Sequence, residues 1–547
     1  MSKTLRGADI VARALEQLGT RHIFSLSGNH IMSVYDAVLE TRLEILHTRH
    51  EAACVHMADA WGRLTGEPGI ALVTGGPGHA NAVGALYTAL AAESPMVLLS
   101  GHAMTSELGR GGFQEIRQAD MAAPVTKASW TATSAAHLGR DIAEAMRIAT
   151  AGRPGPVHVS LPSDLLDEDV ATDAIAWPDA KSQEKSPVAL ADAAADVVLD
   201  AIAAAKRPLL IAGPQLANAG RRRLVTALQA ATQAPAVIME SVRGVRDATL
   251  ARYADVLRRA DLIVLLGKPL DFTLQWAQAA TVDPACRFIV IDPEASLIER
   301  AVKEKGSVLA FACVADTVPA IETLTRRAGD RKSGDAGWLS EARKAIDGRP
   351  PAWDALKSET RGKLHAVEVF RALRPFIERD PDTVLICDGG EFAQWAQGLL
   401  PVSRRLINGI AGAIGPALPF AIAARCQEEK APVFAVLGDG TFGFHMSEFD
   451  TAVRHNRPFV AILGNDACWN AESQIQLREY GRQRMHGCTL LPTRYDQVVE
   501  ALGGHGEMVD KIADLPGAVE RALASGKPAC VNVMIESIAA PIMGSST

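Results

Sequence analysis

Apolar residues in this chain come in short unbroken runs, set between longer stretches of helical period. Ile70–Val73, Met96–Ser100 and Val157–Ser160 are apolar on both faces, as strands of a parallel sheet covered by helices are. Around them Ala8–Leu18 and Met32–Glu40 recur at helical spacing, and His22–Leu26 reads as a further strand. From about residue 165 to 190 the text turns polar and rich in Asp, Ser and Pro, which predicts a linker. The rhythm resumes with predicted strands at Pro208–Ala212, Ala236–Met239, Leu262–Leu266 and Phe288–Ile291. A second predicted linker, from Gly329 to Trp353, leads to a third block with strands at Thr383–Cys387, Val433–Leu437, Phe459–Leu463 and Ala529–Met534. The pattern predicts an α/β chain of three consecutive parallel-sheet units, over 1–170, 190–345 and 360–547.

A length of 547 residues calls for several cores, and 48% hydrophobic with 22% charged residues is the balance of a globular α/β protein. A net charge of −7 gives no footing for a nucleic-acid partner, and Arg221-Arg222-Arg223 reads as a solvated helix face. The eight cysteines show no C-x-x-C spacing; Cys54, Cys387, Cys426 and Cys530 sit in apolar runs as reduced core residues. No apolar run is long enough to span a membrane and the start MSKTLRGADIV lacks a signal-peptide core, so a soluble, cytoplasmic protein is expected.

The chemistry concentrates between Val433 and Asn470. A strand runs into Gly438-Asp439-Gly440, a helical segment follows, and a second strand ends in Asn465-Asp466, with Asp466 27 residues beyond Asp439. Adjacent parallel strands joined by one right-handed crossover end at the same edge, so the two aspartates can converge on one hard cation such as Mg²⁺. Gly438 and Gly440 would let backbone amides approach a phosphate. Gly438, Gly440 and Gly443 also spell the dinucleotide fingerprint G-x-G-x-x-G, which leaves a nicotinamide-dependent oxidoreductase as an alternative. Asp439 argues against it, because a carboxylate facing pyrophosphate is unwelcome unless a metal intervenes. A plain glycine-rich turn is the remaining structural explanation.

The GDG turn, the intervening helix and the strand ending in Asn-Asp resemble the signature of thiamine-diphosphate-dependent enzymes. Many members have Asn-Asn where this chain has Asn465-Asp466. The resemblance implies Mg²⁺ bound by Asp439, Asp466 and the Cys468 carbonyl, with Gly438, Gly440 and Thr441 at the diphosphate. It extends over essentially the whole chain, with three domains that bind the pyrimidine, form a central Rossmann-like unit, and bind the diphosphate. The segment RHEAACVHMADAWGR followed by GGPGHAN resembles the part that presents a catalytic glutamate to the aminopyrimidine. By that match Glu51 shares a proton with the pyrimidine, and Pro77 and Asn81 line it. A glutamate opening a helix also has an ordinary role as partner of the helix dipole.

The same resemblance assigns Asp388-Gly389-Gly390-Glu391-Phe392, at a strand end, to a second diphosphate loop, with Gly389, Gly390 and Glu391 binding the cofactor. Gly412 and Ile414, in GIAGAIGPALP, fall at the bend of the cofactor. Phe113-Gln114 resembles the substrate-facing pair of acetolactate synthases and benzaldehyde lyase, and His30 matches a histidine of benzaldehyde lyase. Trp469, Leu477 and Tyr480 are candidates for the substrate wall, or for helix core. The expected activity is a lyase or carboligase of 2-hydroxyacyl compounds or acyloins, CoA-linked ones included. The alternative is an acetolactate-synthase-type carboligase that decarboxylates 2-oxo acids such as pyruvate. Whether FAD or a CoA/ADP moiety binds centrally stays open, and a homodimer or homotetramer with the cofactor between subunits is implied.

Overall fold

The computed structural model describes residues 3–179 and 186–541. Three parallel sheets carry the fold. The first holds β1 (His22–Ser25), β2 (Glu44–His47), β3 (Gly69–Val73), β4 (Met96–His102), β5 (Ala128–Thr131) and β6 (Pro156–Pro162), in the order β2-β1-β3-β4-β6-β5. The central sheet holds β7 (Pro208–Ala212), β8 (Ala236–Ile238), β9 (Leu262–Leu266), β10 (Arg287–Asp292) and β11 (Leu309–Val314), in the order β8-β7-β9-β10-β11. The third holds β12 (Val384–Cys387), β13 (Arg404–Ile407), β14 (Val433–Gly438), β15 (Val460–Asn465), β16 (His505–Val509) and β17 (Ala529–Met534), in the order β13-β12-β14-β15-β17-β16. The first and third sheets thus share one topology. In all three, strand order reverses beside the sheet's first strand, and such reversals open a crevice at the carboxyl ends of the strands.

The sheets are covered by helices rich in small residues. Helices α1 (Glu51–Thr65) and α2 (Pro77–Ala91) pack on each other, and α1 packs on α3 (Ala417–Gln427) of the third unit. In α1, a Cβ at Gly62 would lie 2.3 Å from the Pro95 carbonyl, so only glycine allows the helix to sit this close to the sheet. One apolar core consequently runs through both outer units, joining Phe24, Ala58 and Leu86 to Leu418, Phe420 and Phe449.

Both predicted linkers need correction. Ser163–Asp167 is a helix and Asp169–Ala171 a strand paired antiparallel with Thr4–Arg6. The few apolar residues of that polar text, Leu165, Leu166, Val170 and Ile175, are buried in the first core. Residues 180–185 of the same predicted linker lie outside the described residues. In the second stretch, Trp338–Asp347 is a helix, and the buried Trp338 indole donates to the Pro208 carbonyl at 2.8 Å. Ala342 and Ile346, at helical spacing from Trp338, are buried on the same face of that helix. Among the described residues no helix is long and apolar enough to cross a membrane.

Candidate active site

At the reversal point of the third sheet, three strand ends meet. β12 leads into Asp388-Gly389-Gly390, β14 into the helix α4 (Asp439–His445), and β15 into Asp466. Gly438 and Gly464 are register partners, which sets Asp439 and Asp466 side by side, close enough to share a hydrogen bond. Burial pushes both carboxyls above the usual carboxylate range, and for Asp466 the neighbouring Asp439 charge adds to the push. Asp439 Oδ2 is buried without a hydrogen-bond partner. A cleft opens here, and Gly389, Gly390, Glu391, Ile414, Gly438, Asp439, Gly440, Thr441, Asp466, Cys468 and Trp469 all line it.

The walls are set by close packing. A Cβ on Gly440 would sit 2.7 Å from the Trp469 ring, and one on Gly389 2.6 Å from Ile414 Cγ2. Gly390 has φ near +89° and nothing within 4 Å of its absent Cβ, so its backbone faces open space. The Glu391 carboxylate is already engaged, accepting from the Ala540 amide and lying 3.5 Å from Arg243. Gly412, Leu477 and Tyr480 do not line the cleft. Gly412 faces Val242 of the central unit, and Tyr480 is exposed at the end of the helix Asn470–Tyr480.

Asp388 heads the second diphosphate loop expected from the sequence, which gave it no role of its own. Fully buried, it accepts hydrogen bonds from the amides of Gly389 (2.6 Å), Gly415 (3.0 Å) and Ala417 (3.1 Å), tying the two glycine loops together. Burial still outweighs those three bonds and raises its carboxyl to about 6.

The residues fit a hard divalent cation held together with a diphosphate. Two adjoining buried carboxylates repel unless a proton or a cation lies between them, and one oxygen stands unpartnered. Among the described residues no cluster of three His, Cys, Asp or Glu side chains forms a full ligand set. That suits Mg²⁺, which takes one or two carboxylates and completes its shell with water, backbone and phosphate oxygens.

A second group gathers at the reversal point of the first sheet. Glu51 is the first residue of α1 and accepts from Asn81 Nδ2 at 3.0 Å. Pro77 opens α2, and Pro77 and Asn81 lie on its exposed side. Buried His30 shares a hydrogen bond with Thr74 through Nδ1 (3.1 Å) and stacks on Phe113 at 5.9 Å. Burial lowers the His30 pKa, leaving a neutral imidazole at pH 7. Gln114 adopts φ near +56°, and its carbonyl lies 2.4 Å from where a Cβ on Gly76 would be. Gln118, absent from the sequence reading, is buried behind them. It accepts from the Gly76 amide (2.8 Å) and donates to the Gly101 carbonyl (3.1 Å) and Ser160 (3.0 Å). None of Glu51, His30, Pro77, Asn81, Phe113 or Gln114 lines the cleft of the third unit. The structure brings the candidate residues together as two separate groups.

Family models match all three parts of the chain: the N-terminal TPP binding domain of thiamine pyrophosphate enzymes over residues 5–121, their central domain over 195–321, and their C-terminal TPP binding domain over 388–533. The acetolactate synthase large subunit IlvG of Mycobacterium tuberculosis is 32% identical over 99% of this chain and 98% of its own length. The chain belongs to the thiamine pyrophosphate enzymes. Other relatives of this thiamine pyrophosphate enzyme include 2-hydroxyacyl-CoA lyase 2 of Caenorhabditis elegans, 29% identical over 97% of this chain and 89% of that protein, and the catabolic acetolactate synthase of Raoultella terrigena, 28% identical over 97% and 95%. The family makes this a thiamine-diphosphate-dependent enzyme of C–C bond chemistry, with Mg²⁺ the customary metal, and sets aside the nicotinamide alternative for Gly438–Gly443.

In the central unit of this thiamine pyrophosphate enzyme the strand ends beside the reversal point are tied to the first unit. Arg153, from the first unit, donates to the Gly267 carbonyl at 3.1 Å and pairs with Glu93 and, at 2.5 Å, with Asp292. Lys268, fully buried beside them, pairs with Asp271 at 2.6 Å.

Proposed function

We propose that the enzyme is a lyase and carboligase of 2-hydroxyacyl compounds, breaking or making the C–C bond beside a carbonyl. The observation that carries this reading is His30, a buried neutral imidazole at the first sheet's reversal point, fixed by Thr74 and stacked on Phe113. A neutral histidine there can take the proton of a substrate hydroxyl as the adjacent bond breaks, and return it in the reverse direction. Gln114, held in a left-handed conformation beside Gly76, orients the same oxygen. When bound, thiamine diphosphate supplies the carbanion that adds to the carbonyl and stores the electron pair released on cleavage.

In this reading Asp439, Asp466 and the Cys468 carbonyl hold Mg²⁺. Gly389, Gly390, Glu391, Gly438, Gly440 and Thr441 back the diphosphate, while Ile414 shapes the bend. Glu51, oriented by Asn81, exchanges a proton with the aminopyrimidine beside Pro77. Phe113 and Trp469 wall the substrate. The cofactor lies between two copies of the chain in a homodimer or homotetramer. Two features support this: Glu51 is separate from the metal cleft of its own chain, and α2 presents Pro77, Asn81, Gly84 and Tyr87 on one exposed side.

A second reading, a decarboxylating carboligase of the acetolactate synthase type, is favoured by the 32% identity to the mycobacterial synthase against 29% to the nematode lyase. One panel separates the two. Purified protein with thiamine diphosphate and Mg²⁺ is offered pyruvate, acyloins and 2-hydroxyacyl-CoA compounds. Aldehyde released without CO₂ is expected; CO₂ from pyruvate with a coupled product would overturn the lyase reading.

A further inference from the structure

The turn from which Glu51 emerges is held by the third unit of the same chain. Glu448 opens helix α5 (Glu448–Arg454) and is completely buried. Both of its carboxylate oxygens accept from the Arg49 amide, at 3.1 and 3.3 Å, and Oε2 also accepts from the Thr451 hydroxyl at 2.6 Å. Three more contacts stitch the same turn to α5 and the residue beyond it. The His47 amide donates to His455 Nε2 at 2.9 Å, Arg454 donates to the His47 carbonyl at 2.7 Å, and Arg49 lies 3.6 Å from Asp450. On the far side of Arg49, the His50 ring accepts from the Ala52 amide at 3.1 Å and caps α1. The position of Glu51 is therefore set by backbone groups on either side of it, and Glu448 is the buried carboxylate among their partners.

Glu448 is tied in turn to the metal cleft. α5 follows α4 after Met446 and Ser447, and α4 begins at Asp439. A buried carboxylate gripping a backbone amide two residues from a reactive glutamate is an expensive way to close a loop that solvent could satisfy. It is an effective way to fix a carboxylate within the few tenths of an ångström that proton transfer needs.

We propose that Glu448 is a positioning residue for Glu51, holding the Arg49–Glu51 turn in register with Asn81 and linking that register, through α5 and α4, to the Asp439 cleft of its own chain. This rests on the role given to Glu51 above. In the family arrangement that cleft and that glutamate serve different cofactor molecules, so Glu448 would join two sites.

The test compares wild type, Glu448→Gln, Glu51→Gln and the double variant by two readouts. Hydrogen exchange of the peptide covering residues 47–53 is followed in the cofactor-free protein. The C2 proton exchange rate of bound thiamine diphosphate is followed by acid quench and NMR, which requires no known substrate. In Glu448→Gln the 47–53 peptide should exchange faster. C2 exchange should fall at least about tenfold while cofactor affinity stays within about twofold, and adding the change to Glu51→Gln should cost nothing more, since coupled residues are not additive. Unchanged C2 exchange in Glu448→Gln, or losses that multiply in the double variant, would overturn the proposal. Should Glu448→Gln not fold, Thr451→Val removes one of the bonds that orient the carboxylate and should give the same pattern at smaller size; no change there would overturn it equally. If Glu51→Gln alone keeps full C2 exchange, the reading of Glu51 has failed rather than that of Glu448.

Discussion

Co-expressing a Glu51→Gln chain with an Asp439→Ala chain should restore activity that neither shows alone. Glu51 lies outside the cleft that holds Asp439 in its own chain, so a working site in the proposed dimer takes one half from each copy. In a mixed dimer one site then draws its cleft from the Glu51→Gln chain and its glutamate from the other chain, and is intact. The second site carries both defects. Random pairing makes about half of all dimers mixed, and half of their sites are intact, so about one quarter of wild-type activity should return. Each parent should sit about 10²–10⁴-fold below wild type, the usual loss with a catalytic proton-transfer group. Two different affinity tags and tandem purification isolate the mixed species, whose activity should rise to about half of wild type. Native mass spectrometry showing mixed dimers that remain as inactive as the parents would refute the reasoning, and would place both halves of the site in one chain.

Arg153→Met strands Glu93 and Asp292 together in the interior, and unpairing a buried charge costs about 3–5 kcal/mol. Because burial already raises the Glu93 carboxyl, acid should neutralise it readily, so the loss in denaturant midpoint should be smaller at pH 5 than at pH 8; equal losses would contradict this. Gly440→Ala drives a methyl to 2.7 Å from the Trp469 ring, an overpacking of about 1–3 kcal/mol, and should weaken cofactor binding about tenfold in a tryptophan-fluorescence titration. A chelator should release thiamine diphosphate, with Mg²⁺ restoring it; retention of cofactor in excess chelator would argue against the Asp439–Asp466 pair as the metal anchor. The acid limb of kcat/KM should fall below the ordinary histidine value of about 6.5, as burial lowers the His30 pKa, and should vanish in His30→Ala.

Strands buried on both faces were legible as runs of Ile, Val, Leu and Ala, and these include the three that lead into Asp388, Asp439 and Asp466. The strands that went unread were β2, β5, β11, β13 and β16, each at the edge of its sheet. An edge strand is covered on one side only: ASWT of β5 and LAFACV of β11 contain no fully buried residue, and ASWT mixes polar with apolar positions. The GDG turn and the Glu51 segment stood out because glycine and acidic residues at strand and helix boundaries are chemically conspicuous. Gln118, Glu448 and the role of Asp388 did not, because all three act chiefly through hydrogen bonds to backbone groups of neighbouring loops. Nothing in the local text around Glu448 announces Arg49, a partner from the other end of the chain.

The arginine lodged at the central sheet's reversal point has a consequence for cooperativity. It rivets the first unit to the central one through buried charges, which salt screens far less than surface pairs. The first unit also shares a continuous apolar core with the third. It is therefore the hub on which both others depend. Cut free, it would expose an apolar face on one side and, on the other, a guanidinium that keeps Glu93 but loses Asp292, so heat should melt the chain as one block, with no stage at which that unit survives alone.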